Sequence, residues 1–181
     1  MNSKGTLWIT TTAAFIALLI VTQTTTALFG QLVTGSLVNL ILIISVMTCG
    51  FTSGLTVALV SPIFANLIGI APLWMLTPFI MAGNAALVTI WHTMGRMKFA
   101  DTRIVLVLTL IMAAVCKSAT LYVGVVRLAI PLFLNLPEQQ AAVVSVMFSL
   151  PQLFTATTGG ALALVVLPVV DKVKVKAKRL I

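Results

Sequence analysis

A lysine lies inside one of the most apolar stretches of the chain. Lys117 directly follows the run RIVLVLTLIMAAVC (residues 103–116), in which the opening arginine is the only charged residue. An ionisable side chain deep in a membrane segment is unfavourable by at least about 2–3 kcal/mol, so it usually lines a cavity or pairs with another group. Alternatively, the aliphatic stem carries the ammonium group outward to the membrane interface. The first interpretation predicts a binding site for an anion.

No acidic residue is placed to neutralise this lysine. The only aspartate and glutamate residues are Asp101, Glu138 and Asp171, and all three fall in loops or in the tail, outside the apolar runs. An unpaired charge is unfavourable in lipid, so the missing partner indicates that a ligand brings the counter-charge.

Several amide side chains are expected at a depth similar to that of Lys117. Each amide alone is explained as well by a hydrogen bond between helices. Their coincidence with a lysine and aromatic residues favours one outward-facing pocket for a small polar anion. Arg127, about two and a half turns beyond Lys117, is the competing cation. The candidate ligand-binding residues are Gln23, Asn39, Asn66, Trp74, Asn84, Lys117, Tyr122, Arg127 and Gln152.

Catalytic and metal chemistry have little support in the sequence. The chain contains no HExxH, GxSxG or Walker motif, no aspartate pair and a single histidine, His92. Cys49 and Cys116 form no CxxC or Cys/His pattern of a disulfide or zinc site. We therefore expect no enzyme activity, no metal and no cofactor, and any uphill transport would need energy from a partner.

The elements that position these groups are predicted to be membrane helices. Of the 181 residues, 60% are apolar and only 8% are charged, and the mean hydropathy is +1.19. Soluble domains carry about 25% charged residues. The composition therefore indicates an all-α integral membrane protein.

Six apolar segments are candidates for membrane spans. A span needs about 20 apolar residues, although shorter ones survive inside a bundle. The polar stretch TQTTTALFGQLVTGS after the first segment predicts a loop that folds back over the bundle. We expect one multi-pass domain over residues 1–181, with spans at about 6–27, 36–49, 54–70, 73–95, 103–127 and 142–170.

The distribution of cations predicts the orientation of this bundle. Lysine and arginine in short loops are retained on the cytoplasmic side, which favours an N-in, C-in topology. The net charge of +8 is then explained by topology and by contact with anionic lipid, without nucleic acid as a partner. The cations placed inside are Lys4, Arg96, Lys98, Arg103, Lys172, Lys174, Lys176, Lys178 and Arg179.

Small residues form stripes on the predicted first and third helices. Ala13, Ala14 and Ala17 form one stripe, and Gly50 and Gly54 begin another at a cytoplasmic turn. Such stripes let a second helix approach closely, so they are candidate contacts with a partner subunit. Packing within the chain explains each stripe equally well.

The chain also resembles a known family. The run GSLVNLILIISVMTCGFTSGLTVALVSPIFANLIGIAPLWMLTPFIMAGNAALV, together with short spans and the Ala-xxx-Ala first helix, is similar to the substrate-binding S component of energy-coupling factor vitamin transporters, most of all the pantothenate type. This resemblance implies a cell-membrane vitamin binder that meets a transmembrane coupling protein through the Ala13/Ala17 face. It further implies two separate ATPase subunits and toppling of the whole subunit in the membrane.

Chemistry favours pantothenate among the vitamins, because one cation and several amides match its carboxylate, amide and hydroxyl groups. A riboflavin site is expected to contain more aromatic residues for stacking. Cobalamin, folate and biotin remain alternative ligands. A non-transport scaffold or assembly protein is the alternative from a different class. A self-sufficient carrier or channel is disfavoured, because no acidic residue falls within a span.

Overall fold

The computed structural model describes residues 3–70, 73–96 and 103–178, and within these ranges the chain is built from helices. Apolar segments adopt helices because every backbone N–H and C=O group is then paired within the segment, as lipid requires. Short 3-10 turns at Ala27–Phe29 and Trp74–Leu76 and a π-helical segment at Tyr122–Ala129 lie between them. The helices are α1 (Ser3–Thr26), α2 (Gln31–Cys49), α3 (Phe51–Leu67), α4 (Thr77–Met94), α5 (Arg103–Leu121), α6 (Ile130–Leu132), α7 (Glu138–Met147) and α8 (Leu150–Lys178).

These helices have the length and composition of a multi-pass membrane protein, and the all-α prediction is confirmed. The shorter helix α3 is also apolar, although its 17 residues fall below the length of a typical span. Within the described ranges, five stretches are long and apolar enough to cross a membrane: Gly5–Phe29, Gln31–Cys49, Trp74–Met94, Ile104–Leu132 and Glu138–Val170.

The first connection differs from the prediction. No long loop folds back over the bundle here, because α1 continues to Thr26 and α2 already begins at Gln31. The threonine hydroxyl groups are satisfied within the helix, because they bond back to carbonyl groups one turn earlier, as Thr22 Oγ1 does to Leu18 O at 2.8 Å. Gly30, with φ of 82°, then allows the sharp reversal into α2.

The last two predicted spans also differ in their bounds. The fifth does not stop near residue 127, because the π-helical segment and α6 extend it to Leu132. The sixth, expected at 142–170, is divided into α7 and α8 by a corner at Phe148 and Ser149. Pro151 favours a new helix start at this point, because proline lacks an N–H group and fits the first turn.

α2 lies at the centre of the bundle. It packs against α1, α3, α4 and α8, while α5 packs against α4 and α8. Large apolar side chains such as Leu42, Val57, Leu87 and Trp91 are fully buried between these helices. A smaller apolar cluster, which includes Phe148, joins the π-helical segment to α7.

One end of the bundle is marked by an arginine. The Arg96 guanidinium group donates a hydrogen bond to Met47 O at 2.9 Å, near the C-terminus of α2. This position satisfies a carbonyl group at the helix end and complements the helix dipole. Of the other cations that predict the orientation, Lys98 and Arg179 lie outside the described residues.

Candidate ligand-binding site

A cavity of about 330 Å³ lies among α1 to α5 and the corner between α7 and α8. Small-molecule sites in proteins occupy roughly 300–1,000 Å³, so this volume suits a small ligand. The lining is apolar at many positions and includes one aromatic residue, Phe148. Besides Lys117, the polar side chains used below are those of Gln23, Gln31, Asn39, Ser61, Asn84 and Gln152.

Lys117 joins three helices at this cavity. Its side chain is only 4% exposed, and its Nζ donates hydrogen bonds to Asn39 Oδ1 at 2.5 Å and Asn84 Oδ1 at 2.6 Å. Lys117 lies on α5, whereas the asparagines lie on α2 and α4. An ammonium group has three protons, so the arrangement leaves one donor for a ligand. The two amide oxygens solvate the cation and do not neutralise its charge.

The lysine also fixes the orientation of both amide groups. Because the two carbonyl oxygens face Nζ, the amide nitrogens must point elsewhere. Asn84 Nδ2 reaches Ala58 O at 3.4 Å, a long contact. Asn39 Nδ2 is buried and has no hydrogen-bond partner in the part of the chain that the structure describes. A buried donor without a partner is unfavourable by about 1–3 kcal/mol, so an acceptor is expected beside it.

Further unpaired polar atoms lie on the same cavity. Within residues 3–70, 73–96 and 103–178, the buried side-chain atoms without a partner are Gln23 Oε1, Asn39 Nδ2, Ser61 Oγ and His92 Nδ1. The first three belong to residues that line the cavity, and His92 does not. Native proteins pair most buried polar atoms, so this concentration indicates a place where a polar ligand or ordered water binds.

Glycines set the distances between the helices at this site. A methyl group added at Gly159 on α8 would lie 2.6 Å from Asn39 Cβ, and one added at Gly83 would lie 2.7 Å from Leu121 Cγ. Both contacts are too short for a larger residue. The absence of a side chain at Gly159 therefore lets α8 pack directly behind Asn39, while Gly83 lets α4 and α5 approach beside Asn84.

The corner between α7 and α8 is held at the cavity by two glutamines. Met147 O accepts hydrogen bonds from Gln31 Nε2 at 2.8 Å and from Gln152 Nε2 at 3.1 Å. The neighbouring Phe148 is buried, with 4% of its surface exposed. Gln152 thus lies on the cavity, as predicted from the sequence, but its amide nitrogen supports the backbone.

Asn66 does not line the cavity, although it was predicted to do so. Its side chain is buried, and Nδ2 donates to Pro62 O at 3.1 Å and to Thr77 Oγ1 at 2.6 Å. The bond to Thr77 ties the end of α3 to the start of α4, whereas the bond to Pro62 O lies within α3. Asn66 therefore forms the hydrogen bond between helices that was the alternative explanation for each amide.

Tyr122, Arg127 and Trp74 also lie away from the cavity. Arg127 is exposed on the surface of the bundle, and its guanidinium carbon lies 5.5 Å from the centre of the Tyr122 ring. Trp74 is 57% exposed. Between the two candidate cations, the structure places Lys117 on the cavity and Arg127 outside it.

Ser61 and Gln31 are cavity residues that the sequence analysis missed. Gln31 lay within the segment predicted as a loop. Ser61 has a signal that was overlooked, because Asn39 and Ser61 are equally far in sequence from Gly50, where α2 turns into α3. Residues equally far from a tight turn between antiparallel helices lie at the same depth.

The small-residue stripes occupy different environments. Ala13, Ala14 and Ala17 are exposed on α1, which leaves their face open to lipid or a partner. Gly54 is buried, and an added methyl group would lie 2.5 Å from Val46 Cβ. Gly50 has a φ of 95° and makes the turn between α2 and α3. Packing and turn geometry within the chain thus account for Gly50 and Gly54.

No family model matches the chain, and no curated protein or solved structure matches it either.

Proposed function

We propose that this protein is the membrane-embedded binding subunit of an energy-coupling factor importer, and that its ligand is a small carboxylate vitamin, with pantothenate favoured. The observation that carries the proposal is the buried Lys117 ammonium group. It lies on a cavity of about 330 Å³ and is bound by amide oxygens, with no carboxylate bonded to it in the described residues.

The electrostatics of the cavity favour an anionic ligand. A carboxylate bound beside Lys117 would accept a charge-assisted hydrogen bond from the remaining N–H of the ammonium group. It would also supply the acceptor that Asn39 Nδ2 lacks. A neutral ligand would leave the buried charge uncompensated, which is unfavourable in a membrane.

Size and lining narrow the choice among anionic vitamins. A cavity near the lower end of the usual range suits pantothenate better than folate or cobalamin. Phe148 is the one aromatic residue in the described lining, so a ring system such as riboflavin would find little stacking surface. Biotin, an acid close to pantothenate in size, is the main competitor.

The proposed partners follow from the family resemblance and from energetics. The chain has no nucleotide-binding motif, so ATP hydrolysis is assigned to two separate ATPase subunits. The exposed face formed by Ala13, Ala14 and Ala17 is the proposed contact with the transmembrane coupling protein. Delivery then occurs by toppling of the whole subunit in the membrane.

Ligand titration of the purified protein tests this function. We expect pantothenate to bind in calorimetry, and the alcohol analogue, in which a hydroxymethyl group replaces the carboxylate, to bind at least about tenfold more weakly. Biotin and riboflavin serve as competitors in the same assay. Binding of the alcohol as tightly as the acid would contradict the role of the lysine. A scaffold or assembly protein would bind none of these compounds.

A further inference from the structure

We infer that the cavity recognises its ligand at two ends, and that Gln23 is a specificity-determining residue that selects acids carrying a hydroxyl or amide N–H group some distance from the carboxylate. The inference rests on the proposed function in one respect, namely that the cavity takes an organic acid. It adds a second recognition point on α1, away from the lysine.

The chemistry of Gln23 sets the kind of group it binds. The side chain is 8% exposed and lines the cavity, and its Oε1 is buried without a partner in the described residues. A carbonyl oxygen only accepts hydrogen bonds. A ligand carboxylate therefore cannot satisfy it, whereas a hydroxyl or N–H group can. The unpaired atom on α1 thus has the opposite requirement to the unpaired donor of Asn39.

Ser61 belongs to the anion end of the cavity. Its buried Oγ has no partner in the described part of the chain, and the residue lies at the depth of Asn39. A hydroxyl group can donate as well as accept. With Lys117 Nζ and Asn39 Nδ2, it completes a set of three donors from α5, α2 and α3 for the two oxygens of a carboxylate.

The separation of the two ends follows from the helix positions. Gln23 is closer than Asn39 to the turn at Ala27–Phe29 that joins α1 to α2. Gln23 is three residues from the end of α1 at Thr26, and Asn39 is eight residues from the start of α2 at Gln31. At a rise of about 1.5 Å per residue, Gln23 therefore lies roughly 7–8 Å nearer that turn along the bundle axis. The ligand must therefore carry its donor several bonds from the carboxylate. A short unsubstituted acid fills the anion end and leaves Gln23 unsatisfied.

The test compares two acids on matched variants. The probes are pantothenate and an unbranched carboxylic acid of similar length that has neither hydroxyl nor amide groups, each titrated by calorimetry. We expect the wild-type protein to bind pantothenate more tightly than the unbranched acid. Gln23→Leu should reduce that preference about tenfold, because one buried hydrogen bond to pantothenate is lost. Lys117→Met should weaken the binding of both acids by similar factors, so the preference for pantothenate should remain.

A second variant protects the test against a folding defect. Gln23→Met keeps the unbranched shape of the side chain and removes the same acceptor, so it should repeat the result of Gln23→Leu. If either folded variant keeps the wild-type preference for pantothenate, water rather than ligand satisfies Gln23 and the inference is overturned.

Failure of the proposed function would give a different result. If pantothenate does not bind to the wild-type protein, pantothenate is not the ligand. Matched pairs of straight-chain acids, one with a terminal hydroxyl group several bonds from the carboxylate and one without it, are then compared by thermal shift. A larger shift with the hydroxy acid that disappears in Gln23→Leu supports the inference. Equal shifts within each pair, or no shift with any acid, overturn it.

Discussion

The carbonyl oxygens of Asn39 and Asn84 bind the Lys117 ammonium group without neutralising its charge. The arrangement differs from a buried salt bridge, in which the protein itself provides the counter-ion. In the proposed site, the cation is already solvated and oriented, and a ligand carboxylate would supply its counter-charge. The wild-type protein without a ligand consequently carries an electrostatic penalty that binding removes.

Replacing the lysine tests this interpretation. Lys117→Met keeps the apolar stem and removes the ammonium group, so we expect pantothenate affinity to fall by about 1.5–3 kcal/mol, or roughly ten- to a hundredfold in calorimetry. Removing the ammonium group relieves the cost of a buried charge, but it also leaves Asn39 Oδ1 and Asn84 Oδ1 without their donor. Thermal unfolding of the variant is therefore measured beside the titration, and affinities are compared only for folded protein.

Arg127→Met is the matched control for this substitution. Its guanidinium group lies over Tyr122 on the surface of the bundle, so the variant should bind pantothenate as the wild-type protein does. The opposite pattern, in which Arg127→Met binds pantothenate weakly and Lys117→Met binds it as the wild-type protein does, would show that the anion binds outside the cavity.

Residue depth could be predicted from the sequence, but rotation about the helix axis could not. Counting along each span brought Lys117, Asn39 and Asn84 to one level, and the structure places all three together. Tyr122 and Arg127 are on the next turns of the same segment but face outward. Both the core and the lipid are apolar, so hydrophobic periodicity does not distinguish the two faces of a helix.

At the scale of helices, the packing of α8 against α2 determines where Asn39 lies. Gly159 provides the space for this contact. We expect Gly159→Val to destabilise the protein by about 1–3 kcal/mol, because the added methyl groups would overlap Asn39 and the backbone of α2. The displaced Asn39 should also weaken ligand binding.

Thermal unfolding in detergent and pantothenate titration measure the two effects. Gly5→Val is the control, because an added Cβ at Gly5 on α1 has no atom within 4 Å. If Gly159→Val unfolds at the wild-type temperature and binds normally, α8 does not position Asn39.

The sequence predicted helix existence better than helix boundaries. The long apolar runs predicted the helices correctly, because a helix is one of the few structures that pair every backbone N–H and C=O group within lipid. The prediction of a loop after the first span was wrong. Threonine hydroxyl groups are satisfied by bonding back within α1, so a polar composition did not end the helix. The π-helical segment at Tyr122–Ala129 had no sequence signal that we recognised.

At the scale of the whole molecule, the cavity and Arg96 lie toward opposite ends of the bundle. The cavity reaches the turn between α1 and α2, whereas Arg96 bonds near the opposite end of α2. If the cationic loops are cytoplasmic, as the charge bias predicts, the cavity faces outward. Under the proposed function, a subunit oriented in this way would collect ligand from outside, and release to the cytoplasm would require a further movement of the whole subunit.

Reconstitution of the chain alone tests whether that movement needs partner subunits. In liposomes loaded with ATP, we expect the protein to bind pantothenate without concentrating it inside, because the chain has no nucleotide-binding motif. An imposed proton or sodium gradient should also fail to drive uptake. Among the side chains whose burial the structure describes, Lys117 is the only buried charged one, so no buried carboxylate offers a site for ion coupling. Concentrative uptake of labelled pantothenate by the isolated chain, lost in Lys117→Met, would instead identify a self-sufficient carrier.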